Sequence, residues 1–223
     1  MTQQRIAWWA ILLPMTAVVV WSLNIVVTRY VTDFIEPMSI SFYRWLLAWL
    51  LLTPFMLHKT WQQRQLIQQH SLKLAILSAF GMLLYQGLAY SAAHYTTATN
   101  MGLINAFIPI FTIFVGILIL KEFPNRYAVI GSICSFLGLL YVLGQGQFDA
   151  ILNLGQHTGD LLMLLAVFFY AFYGVFLRKW QLALPLMLML YVQVCFALLY
   201  HVPIIVYFGL DPITQDNVLS VAY

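Results

Sequence analysis

The stretch TAVVVWSLNIVVTR (residues 16–29) has a second version in LAVFFYAFYGVFLR (residues 165–178). The two align without a gap at an offset of 149, which carries Ala17-Val18 onto Ala166-Val167, Trp21 onto Tyr170, Val26 onto Val175 and Arg29 onto Arg178. The same register continues into the next segments, with Ala48 falling on Ala197 and Pro54 on Pro203. The first two apolar segments thus recur as the sixth and seventh. Each copy lies five segments on from its mate, and an odd offset turns the second copy upside down relative to the first. Inverted repeats of this kind are a structural habit of secondary transporters.

Composition agrees with this reading. The chain of 223 residues is 63% hydrophobic, 16% aromatic and only 8% charged, with mean hydropathy +0.87. A soluble domain carries about 25% charged residues, so this is the composition of an integral membrane protein. Apolar runs of about 20 residues suit helices crossing a hydrocarbon core about 30 Å thick. They are too long and too evenly apolar for barrel strands, which alternate polar and apolar over about 10 residues. The expected fold is all-α, a polytopic helical bundle. The net charge of +3 comes from basic residues scattered singly between segments, which is a topology signal rather than a nucleic-acid surface. Cys134 and Cys195 both fall inside apolar segments and read as small packing residues.

Seven spans are expected, at about Trp8–Thr28, Met38–Leu57, Leu72–Ala92, Ala98–Leu120, Tyr127–Gly144, Gly159–Leu177 and Pro185–Phe208. The connections are short except for a polar one, His58–Ser71, and one rich in Gly, Gln and Asn, Gln145–His157. With the N-terminus in the cytoplasm, Arg5, Lys59, Arg64, Lys73, Lys121, Arg126, Arg178 and Lys179 fall inside and only Arg29 falls outside. This basic bias predicts a multi-pass protein with a cytoplasmic N-terminus. Asp33, Glu36, Asp149, Asp160, Asp211 and Asp216 all fall on the outer side, so no acid is expected within a span. The first segment is longer than the apolar region of a secretory signal, carries Asn24 and lacks a small-residue cleavage pattern, so it reads as a retained helix.

Polar groups inside these spans are the candidates for chemistry, because hydrocarbon penalises them unless they face the bundle interior. Ala17, Trp21, Asn24 and Thr28 share one face of the first span, and the sixth repeats that geometry with Ala166, Tyr170, Tyr173 and Leu177. These are either two walls of a pathway or one interhelical hydrogen bond and aromatic packing. Arg44 lies a turn or two into the second span, where a guanidinium needs compensation by an anionic substrate, by Asp33 or Glu36, or by helix-end carbonyls. The alternative is that it snorkels to the headgroups. Its mate in the second copy is Gln193, so the charge is not repeated. The third span offers Tyr85, Gln86 and Tyr90, and the fourth offers Asn100, Asn105 and Pro109. Asn105 and Pro109 share a face with Ala98 and Gly102, and the proline interrupts the backbone ladder as in the broken helices of transporters, or simply kinks the span. Gly131, Ser135 and Gly138 form a small-residue face expected to pack against a neighbour.

Several function classes find no support. There is no phosphate-binding glycine loop, no intramembrane aspartate pair and no nucleophile-elbow serine, and the five histidines have no ligand spacing. No lysine follows Lys179, which removes a retinal Schiff base from the seventh span. No cofactor, metal or catalytic residue is expected.

In order and spacing, the chain resembles the EamA family of the drug/metabolite transporter superfamily. The resemblance is carried by Trp21-x-x-Asn24-x-x-x-x-Arg29, Phe42-x-Arg44 and Ala89-Tyr90-x-x-Ala93-x-Tyr95-x-x-Ala98. It continues through Asn105, Pro109-x-Phe111, Lys121-Glu122, Gly131 and Gly138, and Gly159-Asp160 through Arg178-Lys179. It implies a ten-span carrier of two inverted five-helix halves, moving small metabolites such as amino acids or drugs by alternating access. On that reading residues 1–144 are a first five-helix repeat, 145–158 a connecting loop, and 159–223 the opening two helices of a second, incomplete repeat. The chain then ends where an eighth span begins, a truncated member of the family. Its expected pathway is lined by Trp21, Asn24, Arg44, Gln86, Tyr90, Asn105, Pro109, Tyr170 and Tyr173. The expected partners are a small-molecule substrate and the lipid bilayer, with no nucleic acid, and a homo-oligomer is left open. The alternatives are an inactive remnant of a carrier and, from a different class, an intramembrane lipid-modifying enzyme.

Overall fold

The computed structural model describes residues 8–31, 35–143 and 158–212, and among these it contains helices and no strands. The connecting loop expected at Gln145–His157 and the start of an eighth span at Leu219–Tyr223 lie outside the described residues, as do Arg5 and Asp33. The helices are α1 (Trp8–Val31), α2 (Pro37–Gln62), α3 (Arg64–Gln69), α4 (Ser71–Ser78), α5 (Tyr85–Ala93), α6 (Ala98–Asn105), α7 (Ile108–Leu120), α8 (Arg126–Leu143), α9 (Thr158–Trp180) and α10 (Leu186–Phe208). A π-helical stretch, Ala79–Leu84, joins α4 to α5 into one continuous span.

Six helical stretches among the described residues are long and apolar enough to cross a membrane: 12–30, 37–62, 71–93, 98–120, 158–180 and 186–208. The remaining expected span, the fifth, coincides with α8, whose described apolar run, Val129–Gly138, is shorter than these six. Large apolar side chains such as Val18, Leu51 and Phe55 point away from the bundle at 61%, 62% and 72% exposure. That outward apolar shell suits contact with lipid. The chain is a polytopic helical membrane protein.

Three expectations need correction. The polar connection His58–Ser71 is mostly helical: α2 runs on to Gln62 and α3 follows after one residue. Leu66 and Ile67 of α3 pack beside Leu74, Leu184 and Leu188, which holds it against the end of the bundle. The small-residue face of α8 meets no described helix, because Gly131, Ser135 and Gly138 are all exposed and a Cβ at either glycine would touch nothing. Gly102 is likewise open, so α6 makes no close approach there. Asp160 is not in an outer loop. It belongs to the first turn of α9 and is 4% exposed.

α9 is the central helix. It lies against α4, the π stretch and α5 on one side and against α6 and α7 on the other. Ala89, Ala92 and Ala93 of α5 meet Met163, Ala166 and Val167 of α9, and small side chains let the two backbones approach closely. Phe80 stacks on Phe172 at 5.4 Å between ring centres, and Phe111 meets Phe168 edge-on at 5.4 Å. α2 packs along α10, which also touches α4 and the π stretch. α1 contacts mainly α5 and α6, and α8 sits at the rim against α6 and α7.

Polar ties link the helices where hydrocarbon offers no water. Asp211, beyond α10, caps the start of α2: its Oδ2 accepts from the Glu36 amide at 2.7 Å and its own amide donates to Ser39 Oγ at 3.1 Å. The Tyr43 hydroxyl adds a 2.6 Å bond to the Asp211 carbonyl. Buried His201 of α10 engages both ring nitrogens, with the Ala197 carbonyl at 2.7 Å and Ser41 Oγ at 2.9 Å. At the other end Lys121-Glu122 closes the fourth span: Lys121 takes a left-handed conformation as the C-cap of α7, and Glu122 pairs with Arg178 at 2.7 Å. Both partners are well exposed there, so the pair is a helix-end charge contact.

Candidate functional site: an aromatic and amide-lined cavity

The fourth span breaks where its sequence requires it. Pro109 has no N–H to bond the Asn105 carbonyl, so the ladder fails there. Ala106 and Phe107 instead bond to Leu103 and Ile104, three residues back, which tightens the end of α6. Pro109 then sits in the first turn of α7, where a missing N–H costs nothing. The break leaves Asn105 as the last residue of α6, facing the bundle. The third span is irregular in another way. In the π stretch the Tyr85 amide reaches back to the Phe80 carbonyl, which inserts one extra residue into the turn. Gly81 is needed in that stretch because Tyr173 lies against it: a Cβ would come within 2.7 Å of the tyrosine ring. The Trp45 indole donates to the Met82 carbonyl at 3.3 Å.

These two irregular spans, with α1, α2 and α9, line a cavity of about 640 Å³ that is partly open to the outside. Eight of the nine residues singled out in the sequence line it: Trp21 and Asn24 from α1, Arg44 from α2, Gln86 and Tyr90 from α5, Asn105 from α6, and Tyr170 and Tyr173 from α9. Pro109 does not line it and is exposed on α7; its effect on the site is through the break. Tyr85, Trp45, Thr28, Met101 and Met163 complete much of the wall and were not among the nine.

Arg44 forms the polar corner. Its Nη1 donates to Asn24 Oδ1 at 2.7 Å and to the Tyr90 hydroxyl at 2.8 Å, and the guanidinium lies 5.8 Å from the Tyr90 ring centre. One cation thereby gathers α1, α2 and α5. Of the compensations expected for Arg44, Asp33 lies outside the described residues, and the partners seen are an amide and a phenol. An aromatic wall completes the cavity. Tyr85 and Tyr170 have ring centres 4.6 Å apart, Tyr170 and Tyr173 5.6 Å, and Trp21 meets Tyr170 edge-on at 5.9 Å. The Tyr85 hydroxyl donates to Asn105 Oδ1 at 3.3 Å, while Asn105 Nδ2 and Thr28 Oγ1 are buried without a hydrogen-bond partner. The cavity is of the size and kind that binds small molecules: mostly apolar walls with a few convergent polar groups.

One polar group close to the cavity was missed by the sequence reading. Asp160 accepts from Thr96 Oγ1 and from Asn100 Nδ2, the latter at 3.4 Å, and its Oδ2 is buried without a partner. It sits at the N-terminus of its own helix and beside that of α6, whose partial positive charges favour a carboxylate. Met163, one turn further along α9, lines the cavity. Among the described residues no three metal-ligating side chains converge.

Comparison with known proteins bears on what such a cavity serves. The chain is 24% identical over 151 residues to the uncharacterized transporter YyaM of Bacillus subtilis, covering 68% of this chain and 50% of that one. It is 26% identical over 168 residues to an uncharacterized transporter of Archaeoglobus fulgidus, covering 74% and 55%. It thus spans about half the length of the curated relatives it matches. No solved structure matches it. Residues 8–144, more than half of the chain, match the EamA-like transporter family, and the chain belongs to that family.

Proposed function

We propose that this chain forms part or all of a secondary carrier that exports or exchanges small metabolites, and that the cavity between α1, α2, α5, α6 and α9 is its solute pathway. The observation that carries the reading is the convergence of five helices on one polar and aromatic cavity in a protein with an apolar exterior. Broken and π-distorted spans line it, as irregular backbone at membrane depth does where it borders a cavity. The pathway residues are Trp21, Asn24, Arg44, Gln86, Tyr90, Asn105, Tyr170 and Tyr173, and the carrier performs no catalysis. The membrane is the bacterial inner membrane, with the N-terminus in the cytoplasm: a reporter fused after Lys59 is expected to read as cytoplasmic, and a periplasmic reading would reverse the topology.

Two features support an inverted-repeat architecture with residues 1–144 as one unit and 159–223 as the opening of a second. Mated helices meet: Trp21 touches its mate Tyr170, and α2 packs along its mate α10. The packed face of α9, Ala166, Val167, Ala171 and Val175, is buried against the third and fourth spans of the first unit. Its counterpart on α1, Ala17, Val18, Ser22 and Val26, is exposed, Val18 at 61% and Val26 at 57%. In this reading that α1 face receives the third and fourth spans of the second unit.

The test is exchange of labelled amino acids and related metabolites in proteoliposomes. This chain would be compared with one extended by the remaining three spans of a second unit. Saturable exchange above protein-free liposomes in at least the extended chain is expected. Its absence from both across the panel would contradict the carrier reading.

A further inference from the structure

The hydrogen bonds already made in the cavity decide what a ligand must offer. Two side-chain amides in the wall have their oxygens engaged: Asn24 Oδ1 accepts from Arg44, and Asn105 Oδ1 accepts from Tyr85. What remains unsatisfied includes a donor, Asn105 Nδ2, and a hydroxyl, Thr28 Oγ1. A buried donor without an acceptor destabilises the empty state, and a ligand acceptor that reaches it recovers that loss. Asn105 lines the cavity and its bond to Tyr85 is long, at 3.3 Å, so the amide is held loosely enough to reorient and present Nδ2 to a ligand. Among the described lining residues there is no carboxylate to receive an ammonium group. Beside Asn105 stands the wall of Trp21, Tyr85 and Tyr170, whose faces suit a flat or apolar body.

Resting on the reading of this cavity as the solute pathway, we propose that its substrates are small organic acids. The carboxylate accepts from Asn105 Nδ2, the apolar or aromatic body lies against the Trp21–Tyr85–Tyr170 wall, and no amino group is required. An amine of the same shape meets no carboxylate among the described lining residues and leaves Asn105 unsatisfied. The proposal therefore ranks a des-amino acid at least level with its amino acid and well above the amine.

The experiment is isothermal titration of the purified chain in detergent with 3-phenylpropionate, L-phenylalanine and phenethylamine, which share a 2-phenylethyl skeleton and differ in the groups on its end carbon. Phenylpropionate is expected to bind at least about tenfold tighter than phenethylamine and no more weakly than phenylalanine. Asn105→Asp replaces the donor with a carboxylate of the same shape and is expected to weaken phenylpropionate at least about tenfold while admitting the amine. Asn105→Leu serves if the aspartate variant does not fold, and is expected to lose the acid without gaining the amine. Amine binding equal to that of the acid, or acid binding indifferent to Asn105, overturns the proposal and leaves the pathway reading standing. Failure of all three to bind also overturns it, and the pathway is then judged separately by its accessibility to water-borne reagents.

Discussion

Gly159→Ala is expected to destabilise the folded chain by about 3 kcal/mol, lowering its unfolding temperature by roughly 6–12 °C. A Cβ at this position would lie 2.6 Å from the Tyr95 carbonyl carbon, 2.7 Å from the Thr96 amide nitrogen and 2.9 Å from the Ala92 carbonyl oxygen. All three are backbone atoms at the end of α5, so no side-chain rotation can make room. The two helices must separate, and with them goes the tie from Asp160 to Thr96 and Asn100. Hydrogen bonds to a charged group are worth about 1.5–3 kcal/mol each, which places the loss well above that of an ordinary substitution. Gly102→Ala is the control. Nothing lies within 4 Å of its Cβ position, and the helix propensity of alanine favours the change by up to about 1 kcal/mol. Thermal unfolding of the two purified variants checks the pair. Equal stabilities would mean that α5 and α9 are not in the close contact described.

In the carrier proposed above, tested in whichever form of the chain shows exchange, Arg44→Ala is expected to lower the exchange rate at least about tenfold while the protein still inserts and folds. Its guanidinium joins α1 to α5 through Asn24 and Tyr90. Alanine releases the Asn24 amide and the Tyr90 hydroxyl together, so the polar corner of the cavity loses its arrangement. Arg44→Lys separates geometry from charge. A lysine keeps the charge but lacks the planar fork, and its compact ammonium is a poor replacement at a bridging site. The lysine variant should therefore stay closer to alanine than to wild type. Full activity in lysine with loss in alanine would assign Arg44 a purely electrostatic role, and full activity in both would remove it from the pathway.

Most of the span positions could be read from the sequence because hydropathy runs and helix ends are local properties. The fourth span has the same limits, Ala98–Leu120, in sequence and structure, and Pro37 and Pro185 mark the starts of α2 and α10. The gathering of Trp21, Asn24, Arg44, Gln86, Tyr90, Asn105, Tyr170 and Tyr173 followed from one physical rule: polar and amphipathic groups in a span turn away from lipid. What the rule misses is partner choice. Nothing local says that Arg44 meets Tyr90, 46 positions away.

The π stretch has no sequence signature of its own. Gly81 looks like any small residue until Tyr173 is found against it, and the inserted residue belongs to the same span as Tyr85. Asp160 was counted with the acids on the outer side because it stands at the very start of its span. Its burial depends on Thr96 and Asn100 of another span, which no periodicity within α9 reveals. The glycine faces fail for the opposite reason. Gly131 and Gly138 have helix-packing spacing, yet spacing states only that a neighbour could approach, not that one among the described residues does.

The central claim, that the cavity is a water-accessible solute pathway, is tested most directly by thiol labelling. Cys134 and Cys195 would first be replaced by serine, and single cysteines placed at Asn24, Gln86, Tyr173 and, as a lipid-facing reference, Leu51. A membrane-impermeant, water-soluble thiol reagent is predicted to modify the three cavity positions in membrane vesicles opened to both faces, and to leave position 51 unmodified. Protection of all three cavity positions, at the level of position 51, would mean that the space between these helices is dry packing, and it would contradict the carrier reading of this site.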